Sequence, residues 1–506
     1  MNNETTVTDR KGFITKWTFD NGLPIRKEQF TNGVRPGDPF SYITQYEYNS
    51  NRERTKIIHP AGNSTEFMYD SKGNLTEIRK KGQAPNPDLV TLFTFEPMFN
   101  NIKTLTDPMS NVSTFTYDYE LSEPAHGNIR IVDHPSVGGE AIQTIFTYNA
   151  FNQVETITDS NGNVTRYEYD PANGNLLRII RGFGSTEQTT DELTYDAVGN
   201  FISATDGEGN TTTYSRDVNN KIILLTLATP FSYEIQQTYD PNGKLAMIKR
   251  QADAAGTTFQ TTSYTHTLLG QLKTMTDDHG NLTTYNYDPN GNRIRLIDAE
   301  LYETEFIYDE RDLLYQVVDA NLATSAFGYD LNGNLKTFKD ENSNVTTHVY
   351  DEYDRLKETI YADSAKEIRE YDLASNLTSK TNPNGQIINF TYDELNRLTL
   401  KEYVGCPVST CGGNVDYILD KGSRVTSMSN DNATDVYDYD SVNQVEQLTT
   451  TIGLNNYVVS YDYDLAGGIE QVNYPSGLVV KYTYDELRRL DQIKNVADLV
   501  LYDVDY

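Results

Sequence analysis

Cysteine is nearly absent. The 506 residues hold two, Cys406 and Cys411 within "YVGCPVSTCGGN", so no disulfide framework holds this chain together. The pair either bridges a local loop or stands as two free thiols; closure needs Cα atoms roughly 4.4–6.8 Å apart, which spacing alone does not fix. No apolar run reaches the ~18 residues of a membrane-spanning helix, and the opening "MNNETTVTDRKGF" has neither the basic nor the apolar stretch of an export signal. The six histidines (His59, His126, His134, His266, His279 and His348) are scattered without His-Glu-x-x-His or a Cys-His cluster, which removes the usual zinc signatures. Gly-x-Ser-x-Gly, Gly-x-x-x-x-Gly-Lys and Gly-x-Gly-x-x-Gly are missing too, so neither a serine nucleophile nor a nucleotide cofactor has its signature. Positive charge is scarce: 42 Lys and Arg against 73 Asp and Glu give −31, a surface that repels a phosphate backbone and excludes nucleic acid as a partner of the array. Apolar residues make up 37%, and exchanging the 37 tyrosines for the 33 glycines leaves that fraction almost unchanged, below the roughly 45–50% of a typical globular domain. Little core is available per residue, as in an array or shell.

What is abundant is one dipeptide. Tyr287-Asp288, Tyr308-Asp309, Tyr329-Asp330, Tyr350-Asp351, Tyr371-Asp372 and Tyr392-Asp393 form a run in which each pair stands one fixed interval after the last. Tyr69-Asp70, Tyr117-Asp118, Tyr169-Asp170, Tyr239-Asp240 and Tyr484-Asp485 carry the pattern along the rest of the chain, with insertions that belong in loops. A second aspartate divides each interval, as Asp298, Asp319 and Asp340 do, often as Thr-Asp before Gly or Asn in "TDSNGN", "TDGEGN" and "TDDHGN". Asp, Asn and Gly are turn residues, because Asx side chains bond nearby backbone and Gly accepts positive φ. Between turns the pattern alternates: in "NLTTYNYD", Thr283, Tyr285 and Tyr287 share one face and Thr284 and Asn286 the other, as in a β-strand.

One repeat is therefore a β-hairpin of two strands, each of about six or seven residues. Repeated along the chain, this predicts ~45 strands joined up-and-down into one antiparallel ribbon over residues 1–506, all-β with almost no helix. A flat ribbon of that many strands would run ~200 Å, and accumulated twist should instead coil it into a hollow spiral barrel or cage with successive turns stacked edge to edge.

These motifs resemble the RHS or YD-repeat family, whose Tyr-Asp-x-x-Gly-x-Leu core appears here as "YDPNGKL" (residues 239–245), "YDPANGNLL" (169–177) and "YDLNGNL" (329–335). The resemblance covers essentially the whole chain. Family members include bacterial polymorphic toxins, shell components of insecticidal toxin complexes, wall-associated proteins and teneurins. What it implies is a hollow β-shell that encloses or presents a C-terminal toxin or other cargo, in a parent protein that is secreted or at the cell surface. It also implies a terminal core in which paired Asp-Pro-x-Gly motifs serve self-cleavage. Here the tetrapeptides Asp240-Pro241-Asn242-Gly243 and Asp288-Pro289-Asn290-Gly291 fall inside the repeat frame and are read as turns. No plug, protease core or toxin domain is seen, and the chain looks like a piece of a longer array or a minimal member.

The expectation is a non-enzymatic structural segment without cofactors, its Tyr-Asp pairs serving as repeat markers; catalysis needs a few carboxylates made different by their surroundings, not many made alike. The loop "DSNGN" (residues 159–163) echoes calcium ligands without the later glutamate of such a loop. Sequons such as Asn163-Val164-Thr165 and Asn281-Leu282-Thr283 follow automatically from the repeat phrase. Expected partners are an enclosed polypeptide cargo or the remainder of a shell, self-association through open strand edges, and, in an alternative adhesion role, a glycan stacked on exposed aromatic rings.

Overall fold

The computed structural model describes residues 3–31, 35, 37–229, 232–253, 255–405, 413–485 and 487–504. Cys406 and Cys411 lie outside the described residues. Among the described residues the chain is a succession of 44 β-strands in one sheet, between four and nine residues long. The strands pair antiparallel, each with its neighbour in sequence, which is the up-and-down ribbon the alternation predicts. One short 3-10 helix, Asp118–Leu121, fills an expanded turn after Tyr117.

The turns repeat one local construction. In residues 309–313 the Asp309 N–H donates to the Leu313 carbonyl and the Asp312 N–H to the Asp309 carbonyl. Asp312 sits at φ 60°, so the loop is a type I turn closed by a left-handed residue, a common three-residue hairpin connection. Turns at the other edge of the ribbon, such as 319–323, close the same way. Next to the Tyr-Asp turns the register slips by one: Ile307 faces Gln316 while Tyr308 faces Leu314, leaving Tyr315 as a bulge. The same slip follows Tyr329, Tyr350 and Tyr371. The bulge recurs once per hairpin, so it raises local twist at a regular interval.

Little of this sheet is covered. Ten apolar residues are buried among those described, and the accessible surface is 28244 Å²; a compact chain of 57.3 kDa exposes roughly 19,000 Å².

The described residues group into two compact units, each drawn from two distant segments: residues 1–113 with 264–390, and 114–263 with 391–506. In each unit the two segments meet through their turns, between residues 254 to 301 positions apart in sequence. The ribbon edge made of Thr-Asp turns in the earlier segment seats on the edge made of Tyr-Asp turns in the later one. The stacking expected edge to edge is thus a contact of turn against turn.

Candidate functional site: the turn edge and its seam

The Tyr-Asp edge is built from side chains that satisfy backbone. In turn after turn one carboxylate oxygen of the aspartate accepts the N–H groups two and four residues on: Asp70 from Lys72 and Asn74, Asp240 from Asn242 and Lys244, Asp309 from Arg311 and Leu313. Asp330, Asp351, Asp393 and Asp485 do the same. Asp170 takes the N–H of Ala172, Asp372 that of Asn376, and Asp288 those of Gly291 and Asn292. Asp118 is the variant, buried in its expanded loop and accepting N–H groups from Tyr119, His126, Gly127 and Asn128. Asn149 occupies the same place as the aspartates and takes the N–H groups of Phe151 and Gln153 with its amide oxygen. The position therefore asks for an acceptor, not for a charge.

The paired tyrosines reach backward to the start of the preceding strand. The hydroxyls of Tyr69, Tyr169, Tyr329, Tyr350 and Tyr371 donate to the carbonyls of Arg54, Val154, Leu314, Leu335 and Leu356, each 15 residues earlier, at 2.7–2.9 Å. Tyr239 does so to Ile222. Tyr117 is buried, and Tyr287, Tyr308, Tyr392 and Tyr484 end their strands in the same frame. Burial pushes the phenol pKa up at Tyr308, Tyr329, Tyr350 and Tyr371, so these hydroxyls stay protonated donors at neutral pH.

A third set of side chains ties each turn to the next. Arg355 pairs with Asp351 of its own turn at 2.7 Å and donates to the carbonyl of Asp372 in the following one, and Arg397 repeats this between Asp393 and Asp420. Gln153 and Gln271 reach Gly174 and Gly291 without a charge. The Tyr-Asp-x-x-x-Arg phrases "YDEYDR" and "YDELNR" were the signal for these clamps.

The seam within the first unit is polar and specific. Lys11 lies 3.2 Å from Asp288 and 3.3 Å from Asp312, and Asn290 donates to Asp9 at 2.7 Å. The Asp354 carboxylate collects the amides of Asn63, Asn332 and Asn334. Arg35 grips buried Asp309 and Glu310 at 2.6 Å each. The Arg311 guanidinium lies 3.8 Å from the centroid of buried Tyr42, and the Tyr353 hydroxyl donates to Pro87. In the second unit, Asn161 meets Asp420 and Gly422, Ser185 meets Ser441, and Glu208 accepts the N–H of Leu465. Burial tends to raise the Asp9 and Asp288 pKa values, but it is outweighed at Asp9 by the Asn290 side chain together with the turn's own N–H groups, and at Asp288 by Asn292 together with Lys11, so both lie below the ordinary carboxylate value. Asp288, Asp309 and Asn290 were named from sequence as repeat and turn residues, but none of the seam pairings was, because nothing local in "TDRKG" or "HPAGN" points to a turn in a distant segment.

Among the described residues, three potential metal ligands come within reach of one another at Asp277, Asp278 and His279, consecutive residues of a surface turn. Among the described residues, no helix is long and apolar enough to cross a membrane.

Turn acceptors, tyrosine struts and interturn clamps define a β-hairpin array. Its repeats are those of a known family. The RHS Repeat model matches residues 148–186, 266–300, 329–366 and 371–402, and the chain carries RHS repeats. No curated protein matches the sequence. Among solved structures, the chain is similar in fold to a crystal structure of TcdB2-TccC3-TEV, with a TM-score of 0.60 and 15% identity over 99% of this chain and 29% of that one. The Photorhabdus luminescens Tc holotoxin pore gives 0.58 and 15% over 98% of this chain and 27% of that one. A TcdB2-TccC3-Cdc42 structure gives 0.54 and 12% over 98% and 31%. The chain thus spans less than a third of the length of these relatives.

Proposed function

We propose that the protein is a non-enzymatic structural shell segment, one continuous RHS array that forms part of a hollow β-cage around a polypeptide cargo, such as a C-terminal toxin of a secreted bacterial parent. The observation that carries this reading is the surface: 28244 Å² exposed with ten buried apolar residues is what a single-layer wall wetted on both faces would give. The likeness in fold to Tc holotoxin structures supports it. So does the chemistry of the repeats: the aspartates are alike, each committed to N–H groups of its own turn, whereas acid–base catalysis requires carboxylates that differ.

Small-angle scattering tests the shell. A filled globule of 506 residues has a radius of gyration near 23 Å. A clearly larger radius with a hollow-particle form factor is expected, and a value near the compact estimate would reject the cage. Cargo is tested separately, by joining an unstructured polypeptide to the C-terminus and following its digestion: protection from a protease that cuts the same peptide free in solution is expected.

A further inference from the structure

Inside each unit one rule governs how ribbon meets ribbon, since Thr-Asp turns of one segment seat on Tyr-Asp turns of the other. The contact is head to tail, so each segment uses one edge and presents the second. In the first unit, residues 1–113 engage through Thr-Asp turns and present the Tyr-Asp turns 49–53, 70–74 and 96–101, with Arg52, Lys72 and Met98 exposed. Residues 264–390 engage through Tyr-Asp turns and present the Thr-Asp turns 277–281, 298–302, 319–323 and 340–344, with Asp278, Glu300, Leu301, Tyr302, Leu322 and Glu341 exposed. The first edge exposes two cations and an apolar tip beside the less exposed carboxylates Glu53, Asp70 and Glu96; the other is acidic with apolar tips.

Both edges carry left-handed non-glycine residues, Arg52 and Asn100 on the first, but on the second two of them are leucines. Leu301 and Leu322 hold φ of 67° and 65°, where the seam turns of the same type carry Gly12 and Gly62 at 92°. A left-handed leucine costs on the order of 1 kcal/mol relative to glycine, and a side chain that packed within the chain would offset this. Instead these two are 81% and 82% exposed. They stand one hairpin apart on the same edge, roughly 10 Å, as two knobs of one docking strip.

We propose that the protein assembles head to tail with further copies of itself, the Tyr-Asp edge of residues 49–101 in one copy seating on the Thr-Asp edge of residues 277–344 in the next. The intermolecular contact extends the seam already present within the unit. Arg52 and Lys72 meet the acidic tips, and Met98 packs among the leucines. Such a contact uses two different surfaces, so nothing in it stops growth at a dimer.

Light scattering behind size exclusion, from about 1 to 100 μM, a range set by ordinary micromolar affinities, tests this with two edge variants. Leu301→Gly with Leu322→Gly disables the Thr-Asp edge; Lys72→Glu with Met98→Glu disables the Tyr-Asp edge. The unaltered protein should show a mass above 57.3 kDa that rises with concentration, and each variant alone should stay monomeric. Mixed, the two variants should form a 1:1 dimer and stop there, because one intact edge of each remains. Leu322→Asn, which keeps a left-handed-tolerant residue, should give the same loss if the glycines disturb the turn. A constant monomer mass for the unaltered protein overturns the proposal, as does association unchanged in either variant, or a mixture that stays monomeric.

Discussion

The hydroxyl of Tyr350 donates to the carbonyl of Leu335 at 2.9 Å, linking the end of one strand to the start of the strand before it, next to the bulge that this earlier strand makes with its other neighbour. That bulge leaves a carbonyl at the strand's start outside the regular ladder, and the tyrosine ending the next strand satisfies it. The relationship explains why the repeat ends its strand in tyrosine where phenylalanine would pack as well. Tyr350→Phe should keep the ring and lose the bond, costing about 0.5–1.5 kcal/mol. Urea denaturation checks the cost, and faster amide exchange confined to the hairpin around Leu335 would place it.

Where no arginine or lysine meets it, the aspartate of a pair serves as a hydrogen-bond acceptor, unlike the charge-paired Asp288, Asp309 and Asp351. Asp196 takes the N–H groups of Val198 and Asn200 at 3.0 and 2.9 Å. Asp196→Asn keeps the acceptor, as native Asn149 does in its own turn, and should leave stability nearly unchanged. Asp196→Ala strands the turn's N–H groups and should lower it measurably. Equal losses in the two variants would show that the charge matters.

Much of this was legible in the sequence, and for physical reasons. Turn chemistry is local: Asp and Thr-Asp phrases mark both edges, alternation marks the strands, and their count of ~45 from the repeat length compares with 44 in the structure. The arginine clamps were half legible, since Arg355 stands four residues after Asp351, although its second partner, Asp372, lies in the next repeat. The seam was not legible. Which turn meets which depends on twist accumulated over a dozen hairpins, and Lys11 and Asp312 are 301 residues apart. A faint trace exists at Asp312 and Asp354, where a carboxylate replaces the glycine the turn prefers at φ of 60° and 64°. Both bind across the seam.

Glycine marks the seam where backbone meets backbone. At Gly207 a Cβ would overlap the Leu465 carbonyl oxygen, and the neighbouring Glu208 holds the Leu465 N–H at 2.7 Å. Gly207→Ala should therefore force the two segments of the second unit apart locally, at about 1–3 kcal/mol. An added methyl at Gly209 meets nothing within 4 Å but sits at φ 85°. Gly209→Ala should cost only its turn strain, about 1–2 kcal/mol, without disturbing residues around Leu465. Exchange protection at the Leu465 amide separates the two: lost in the first variant, kept in the second.

Acid should open the first unit's seam before it melts the hairpins. Asp9 and Asp288 have folded pKa values below the ordinary 3.8: burial raises them, and Asn290 with the backbone N–H groups of the Asp9 turn, and Asn292 with Lys11 at Asp288, together more than offset it. A depressed carboxylate contributes stability that is complete above the unfolded value and is lost as pH falls through the folded one. The seam's contribution is therefore constant at neutral pH and declines only below about pH 4. Protonation also removes the charge that Lys11 neutralises at Asp288. Amide exchange at Lys11 and Phe13, whose N–H groups bond the Asp9 carboxylate, should accelerate below that pH, ahead of the loss of β-sheet circular dichroism. Asp9→Asn should shift the onset of this opening and leave the neutral-pH sheet intact. Coincident loss of exchange protection and sheet signal would show that seam and hairpin unfold as one, and that the carboxylates of the seam are no weaker than the ladder beside them.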